Sequence, residues 1–423
     1  MKTLPLAVAG LLSLAIFAGC SSNVFKAPAV PDSYAKMGFK GKDTAGKDPN
    51  QWPSLRGQTL TIMDQGAFPG FDQAKLDFEA LTGATLVVIH KDDAGTLLTT
   101  VLAEQGKPTA DIAYGIDNAV LAKAVKAHAL TDYKPQLAYR IQKDLIFFGE
   151  NSTWPATPVD HGYVGVNVDT KNPALGGVSI TKLTDITAHN DQFVTQNPKT
   201  SSPGWGFLII TVQKFGEDPN TYNWKKYWND LFTQHAKGVC PGANCEHLES
   251  ALVTPTWTAA YQDHFSGGYG APVNGGTGAA DRAMVTSYTE SPAYEYSFGR
   301  ALDGLPQNIL EPQATWHQVQ TMAILNGTAH LAAAQAWIEF SLTDAFQSTR
   351  ASKDAVYPVV ASIDVSGTYH DVDPSPGMFY AIEPRPGHPY SKVADYQYLG
   401  QNLDRWLREW EQLCEASHSQ ATC

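Results

Sequence analysis

A chain of 423 residues has room for two domains with buried cores. At 43% hydrophobic and 17% charged residues it is too apolar for a disordered chain. Its formal net charge of −12 argues against a nucleic-acid partner, because phosphate backbones are bound by a surplus of Lys and Arg.

The first 20 residues, MKTLPLAVAGLLSLAIFAGC, hold one Lys, an apolar run and small residues before Cys20. That is an export signal of the lipoprotein type, with Cys20 as the lipidated residue; ordinary signal cleavage is the alternative reading. No later segment approaches the ~18 apolar residues of a spanning helix, so the expectation is a chain anchored to a membrane without crossing it. Residues 21–56 are rich in Pro, Gly, Ser and Lys and read as a tether. Within them GKDTAGKD imitates a phosphate loop but lacks the Ser/Thr and the preceding strand.

From Leu60 strands and helices alternate. LTIMD, TLVVIH and ADIAYGID are strand candidates, separated by the helical patterns DQAKLDFEAL and TLLTTVLAEQ and followed by NAVLAKAVKAHAL. This order predicts a mainly parallel sheet covered by helices, with ligands beyond the carboxyl ends of the strands, where Asp64, Asp117 and Asn118 fall. Helix capping is the competing role for these residues. HGYVGVNVD is a further strand and TYNWKKYWNDLFTQH an amphipathic helix. SGGYGAPVNGGTGAA (266–280) reads as a flexible loop. MVTSY and WHQVQTMAIL are strands, while HLAAAQAWIEFSLTDAFQ and YLGQNLDRWLREWEQL are helices.

Of five cysteines, Cys240, Cys245, Cys414 and Cys423 remain after Cys20. An even number in an exported chain predicts disulfides, with CPGANC a turn that a short bridge could staple and Cys414–Cys423 a tie on the C-terminal tail. A metal site is the rival, although the spacing matches no common zinc pattern. Enzyme motifs are missing: no G-x-S-x-G, no H-E-x-x-H, and twelve histidines without helical pairing. Catalytic triads are scattered through sequence, so this lowers the case for an enzyme without closing it.

Aromatic and short polar residues stand out instead. NPKTSSPGWG places Ser201 and Ser202 at a helix start, where hydroxyls and free N–H groups bind anions or simply cap. Trp257 precedes the Gly-rich loop. VTSYTESPAYEY carries Tyr288, Tyr294 and Tyr296, with Glu290 among them.

In this order ADIAYGIDNAVL, VDHGYVGVNVD, NPKTSSPGWG, VTSYTESPAYEY and FSLTDAFQSTRASKDAVYPV resemble the thiamine-binding periplasmic proteins of ABC importers, from about residue 58 to the C-terminus. The most specific piece is S-Y-T-x-S-P-A-Y. The resemblance implies a type II periplasmic-binding-protein fold, two α/β lobes closing on a ligand. The first lobe is expected over 57–158 with about 311–352, and the second over 159–310 with about 353–423. It implies Asp64, Asp117 and Asn118 on the first lobe's side of the cleft, Ser201 and Ser202 at the hydroxyethyl or phosphate end, and Trp257, Tyr288 and Tyr294 facing the rings, with Tyr296 left to pack. No cofactor and no reaction are implied. The partners are a small-molecule ligand, a permease and an ATPase, the lipid anchor meets the membrane, and the protein is expected to be a monomer. A ferric-iron or other small-solute receptor is the alternative, with tyrosinate and Glu290 ligands. The chain departs from the family at Met63 and Ala355, where aromatic residues are common, with Phe68, Phe71 or Trp316 as candidate substitutes. AIEPRPGHPYSK (381–392) looks like an insertion.

Overall fold

The computed structural model describes residues 52–66, 69–149, 153–233, 250–272, 276–311, 313–363, 396–417 and 423. The leader with Cys20, most of the tether, Phe68, Cys240, Cys245 and the 381–392 segment lie outside them.

Among the described residues eleven strands form one sheet. In chain order they are β1 (Thr59–Asp64), β2 (Thr85–His90), β3 (Ile112–Asp117), β4 (Leu130–Thr131), β5 (Thr157–Val168), β6 (Phe193–Gln196), β7 (Leu252–Thr254), β8 (Met284–Tyr288), β9 (Gln307–Asn308), β10 (Trp316–Leu325) and β11 (Tyr357–Pro358). Their spatial order is β2-β1-β3-β10-β5-β8-β6-β7, with β4 beside β10 and with β9 and β11 beside β5. Pairing is parallel within β2-β1-β3 and β8-β6-β7, as alternating strands and helices require, and antiparallel wherever β5 or β10 takes part.

Those two long strands join the lobes. The first part of β5 pairs with β10, Thr157 opposite Met322 through Val164 opposite Trp316, and its last part pairs with β8. Strand β10 in turn pairs with β3. Both strands therefore belong to both lobes.

The first lobe's core gathers Phe71, Phe78, Trp337, Phe340 and Phe346 between its helices and the sheet. Trp52 and Leu55 are buried in it, although they fall inside the stretch expected to be tether. The long helical pattern after His330 forms two helices, Leu331–Ser341 and Asp344–Asp354. Thr343 breaks it by capping the second, its hydroxyl accepting from the Phe346 N–H.

In the second lobe the helix Ser202–Phe215 is buried from Ser202 to Val212. It lies hard against the strands because Gly206 has no side chain; a Cβ there would meet Val164 at 2.9 Å and Trp316 at 3.1 Å. The C-terminal helix Tyr396–Ser417, expected in the second lobe, packs on both. Trp410 meets Trp228 edge-on at 5.6 Å, while Gly400 comes against Ala122 of the first lobe. Arg405 pairs with Glu217, Glu409 with Lys225, and Asp404 with Lys123 of the first lobe. Cys414 and Cys423 form a disulfide with Cα atoms 5.7 Å apart, as expected.

Candidate functional site

Between the lobes lies a cleft of about 360 Å³, within the ~300–1,000 Å³ usual for small-molecule sites. Its wall includes Trp257, Tyr288, Tyr294 and Ser202, four of the residues expected from the sequence. Tyr288 ends β8, so the strand delivers its ring to the cleft, and its hydroxyl lies 3.3 Å from that of Ser202. Burial pushes the Tyr288 phenol well up, and the nearby carboxylates of Asp93, Asp117 and Glu290 reinforce the shift. Trp257 stacks on Tyr261 with centroids 4.8 Å apart and 15° between planes, and its indole N–H donates to Ser287 Oγ at 2.9 Å. That pair fixes the indole plane. Tyr294 stands edge-on to Tyr269 at 5.6 Å and to Phe298 at 4.9 Å.

The other expected residues stand back from the wall. Asp64 is buried at the end of β1, accepting from the Gly66 N–H and bonded to His90 Nδ1 at 2.8 Å. Burial lifts its pKa to about 6 against the pull of His90. Asp117 accepts from Trp205 Nε1 at 2.9 Å and Gln318 Nε2 at 2.6 Å, which ties β3 to the second lobe's helix. Asn118 donates to the His317 carbonyl and accepts from the Val319 N–H, fastening β3 to β10. Ser201 is the cap position of the helix Ser202–Phe215 and is fully buried. Tyr296, expected to pack, is exposed at 37%.

Of the candidate substitutes for missing rings, Phe71 lies in the first lobe's core beside Tyr114 and Trp316 is buried at the lobe junction; neither lines the cleft. Met63 is core as well, whereas Ala355 does line it. The extra ring comes from Tyr269, inside the stretch read as flexible loop, where Tyr261 and Phe265 hold it.

The largest omission from the sequence reading is Asp93. It follows β2 at its carboxyl end, the same topological position that singled out Asp64 and Asp117. Its Oδ1 caps the helix Ala94–Ala103 by accepting from the Ala94 N–H at 2.7 Å, while Oδ2 crosses the cleft to the Trp257 N–H at 3.0 Å. Burial lifts its pKa to about 6, against the Trp257 and Ala94 N–H groups that it accepts from. Beside it the Gly95 N–H donates to the Thr200 carbonyl at 2.8 Å, and a Cβ on Gly95 would meet that carbonyl oxygen at 2.4 Å.

Glu290 sits in the wall between the two tyrosines. It accepts from Thr289 Oγ1 at 2.9 Å and from the Tyr163 N–H at 3.3 Å. Burial pushes its carboxyl up to about 8, with Asp160 adding to the rise. Gly162 makes room for it; a Cβ there would come within 1.7 Å of Oε1. Such a cleft can sandwich a flat ring, stabilise positive charge and accept several hydrogen bonds. Among the described residues no group of three or more His, Cys, Asp and Glu side chains could hold a metal.

No family model matches the chain. The thiamine-binding periplasmic protein of Escherichia coli is 25% identical over 291 residues, covering 67% of this chain and 75% of that protein. Its counterpart from Brucella suis is 23% identical over 364 residues, covering 83% and 91%. Among solved structures, a periplasmic thiamin binding protein superposes with a TM-score of 0.64 at 20% identity, covering 85% of this chain and 98% of that one. Iron-bound HitA from Pseudomonas aeruginosa superposes at 0.59 with 14% identity, covering 84% and 99%. At such identities the superpositions speak for the fold alone. The periplasmic relatives support an exported chain, and among the described residues no helix is long and apolar enough to cross a membrane. With its two lobes hung on shared strands and its overlap with such proteins over most of their length, this chain has the type II periplasmic-binding-protein fold.

Proposed function

We propose that the protein is the substrate-binding subunit of an ABC importer, held to the membrane through Cys20, which captures thiamine or a thiamine phosphate and delivers it to permease and ATPase subunits. It works as a monomer and performs no reaction; capture is closure of the lobes about β5 and β10. The observation that carries this reading is the pairing of aromatic faces with a carboxylate in one cleft: Trp257, Tyr288 and Tyr294 around Glu290. Thiamine joins a flat aminopyrimidine to a permanent thiazolium charge, and rings stack on the first and attract the second. Each ring contact supplies roughly 0.5–2 kcal/mol, so hydrogen bonds and lobe closure must provide most of the ~12 kcal/mol of a nanomolar complex.

The test is thermal unfolding of the purified chain carrying Cys20→Ser, with thiamine, its mono- and diphosphate, or ferric citrate. A form present at about 100 times its dissociation constant adds ~2.7 kcal/mol of stability. Stabilisation by a thiamine form is expected. No response to any of them would sink the reading, and a response to ferric citrate with a visible charge-transfer colour would replace it with iron capture.

A further inference from the structure

At the lobe junction, outside the cleft, two imidazoles meet. His161 on β5 and His317 on β10 are hydrogen-bonded, Nδ1 to Nε2, at 3.0 Å. A phenol ring flanks each of them. Tyr357 of β11 stacks on His161 with centroids 5.4 Å apart and 23° between planes, and Tyr163 of β5 stacks on His317 at 4.5 Å and 16°. Strand register explains the cluster, because Tyr163 lies opposite His317 and Tyr357 opposite His161. None of the four lines the cleft. Together they tie β10, β5 and β11 at the point where β5 passes on to β8, which it meets at Val164.

This pair has no counter-charge. Among the described residues the histidines in ion pairs are His90, His264 and His330, not these two. The titratable groups against the pair are the phenols of Tyr163 and Tyr357, and beside them the neutral Gln142 donates to the Pro358 carbonyl. Three carboxylates bond along the same strands: Asp160 at the Tyr114 hydroxyl, Glu290 entering at Gly162, and Asp117 accepting from Gln318. Positions 160, 162 and 318 alternate with 161, 163 and 317, so these carboxyls, and Arg350 at the Tyr114 hydroxyl, belong to the opposite face of the sheet. His317 is 6% exposed, and its Nδ1 has no hydrogen-bond partner. A core histidine ordinarily finds partners for its polar atoms; a proton arriving at this Nδ1 meets neither an acceptor nor an anion. Burial pushes the His317 imidazole down to about 4, and burial with the neighbouring ring pushes His161 down as well. One proton can sit between the rings, but a second sets N–H against N–H and breaks their bond.

We infer that His161 and His317 form an acid-sensitive lock on the lobe junction: neutral, they hold β11, β5 and β10 together, and on protonation β11 lifts from β5 and lets water reach the imidazoles. Strand β11 is the cover that yields because it is only two residues long. It follows the helix Asp344–Asp354 through Ala355 and Val356, both in the cleft wall, so its release also shifts that wall. The lock does not depend on which ligand the cleft takes.

Hydrogen–deuterium exchange of the ligand-free Cys20→Ser chain at pH 7, 6 and 5 tests this, with rates corrected for the intrinsic pH dependence of amide exchange. An opening that lets a buried imidazole take up its proton grows about tenfold per pH unit below about 6.5. Peptides spanning 157–163 and 355–360 should therefore open about tenfold more readily at pH 5 than at pH 6. Carboxyls raised by burial, namely Asp64, Asp93, Asp117, Asp160, Glu290 and Glu295, hold their protons more tightly when folded. Acid therefore strengthens the fold through them; they outnumber the pair in the melting of the whole chain and cannot drive an opening at low pH. His161→Asn and His317→Gln place an amide near Nδ1 and Nε2 respectively and do not titrate. Each should reduce the acid response, and the double variant should abolish it. If His317→Gln does not fold, His161→Asn, at a partly exposed position, makes the measurement alone. A parent chain whose two peptides ignore pH overturns the inference, as does an acid response that survives removal of the histidines. An equal acid response in peptides of β1 and β2 overturns it too, by showing that the whole chain unfolds rather than the junction.

Discussion

Trp257 shows how one side chain can be fixed for recognition by contacts outside the site. Its plane is set by Tyr261 and its indole N–H by Ser287, so little ordering remains when a ring stacks on it. Trp257→Ala is expected to lose roughly 1–2 kcal/mol of affinity, while Trp257→Phe keeps most of it; equal binding by parent and Ala variant in a fluorescence titration would contradict this. Glu290 and Asp93 carry a pH signature. Their folded pKa values, about 8 and about 6, are raised by burial. The folded chain holds these protons more tightly than the unfolded one, so it has the benefit at acid pH and loses it as pH rises through those values. Unfolding temperature without ligand should therefore fall between pH 5 and about 8.5, and Glu290→Gln should flatten the upper part of that slope. A melting temperature that rises over the same range would show these carboxyls to be ionised throughout. At this scale four of the eight ligand residues expected from the sequence, Ser202, Trp257, Tyr288 and Tyr294, line the candidate cleft. Tyr288 and Tyr294 were legible because a strand end and a Pro-started helix bracket them. Asp93 was not legible, because sequence marks a strand's end but not which way the residues after it turn.

The elements were more legible than their limits. Apolar runs such as TLVVIH and MVTSY became β2 and β8 with their expected bounds. The helix expected through 330–347 broke at Thr343, whose hydroxyl offers the backbone an alternative that periodicity does not reveal. Strand β5 makes a sharper point. Gly162, opposite Gln318 at the lobe junction, is where a missing side chain lets the carboxylate of Glu290 enter. Gly162→Ala should leave the strand pairing intact, since Ala suits a β-strand no worse than Gly. It should nevertheless expel that carboxylate and reduce thiamine affinity as much as Glu290→Ala does. Isothermal titration of the two variants and their combination gives the check: the double variant should be no worse than either single one, because both remove the same contact.

For the whole molecule, the order of strands and helices gives a mainly parallel sheet and the two-lobe plan comes with the family resemblance, but the sharing of β5 and β10 is in neither, because an antiparallel long-range pairing leaves no local trace. It has a thermodynamic corollary. Neither lobe can lose its sheet without stripping a partner strand from the other, so calorimetric and van't Hoff enthalpies of unfolding should agree; two resolved transitions would show the lobes to be independent. Behind the cleft, the helix Tyr396–Ser417 is pinned to the first lobe by Lys123–Asp404 and to the second by Arg405–Glu217 and Lys225–Glu409. These pairs are partly open to solvent, each worth up to about 1 kcal/mol and weakened by salt. Such a brace makes the stiffness of the hinge a property of the medium: in dilute surroundings the rear strap is taut and the lobes travel less, and in brine it slackens.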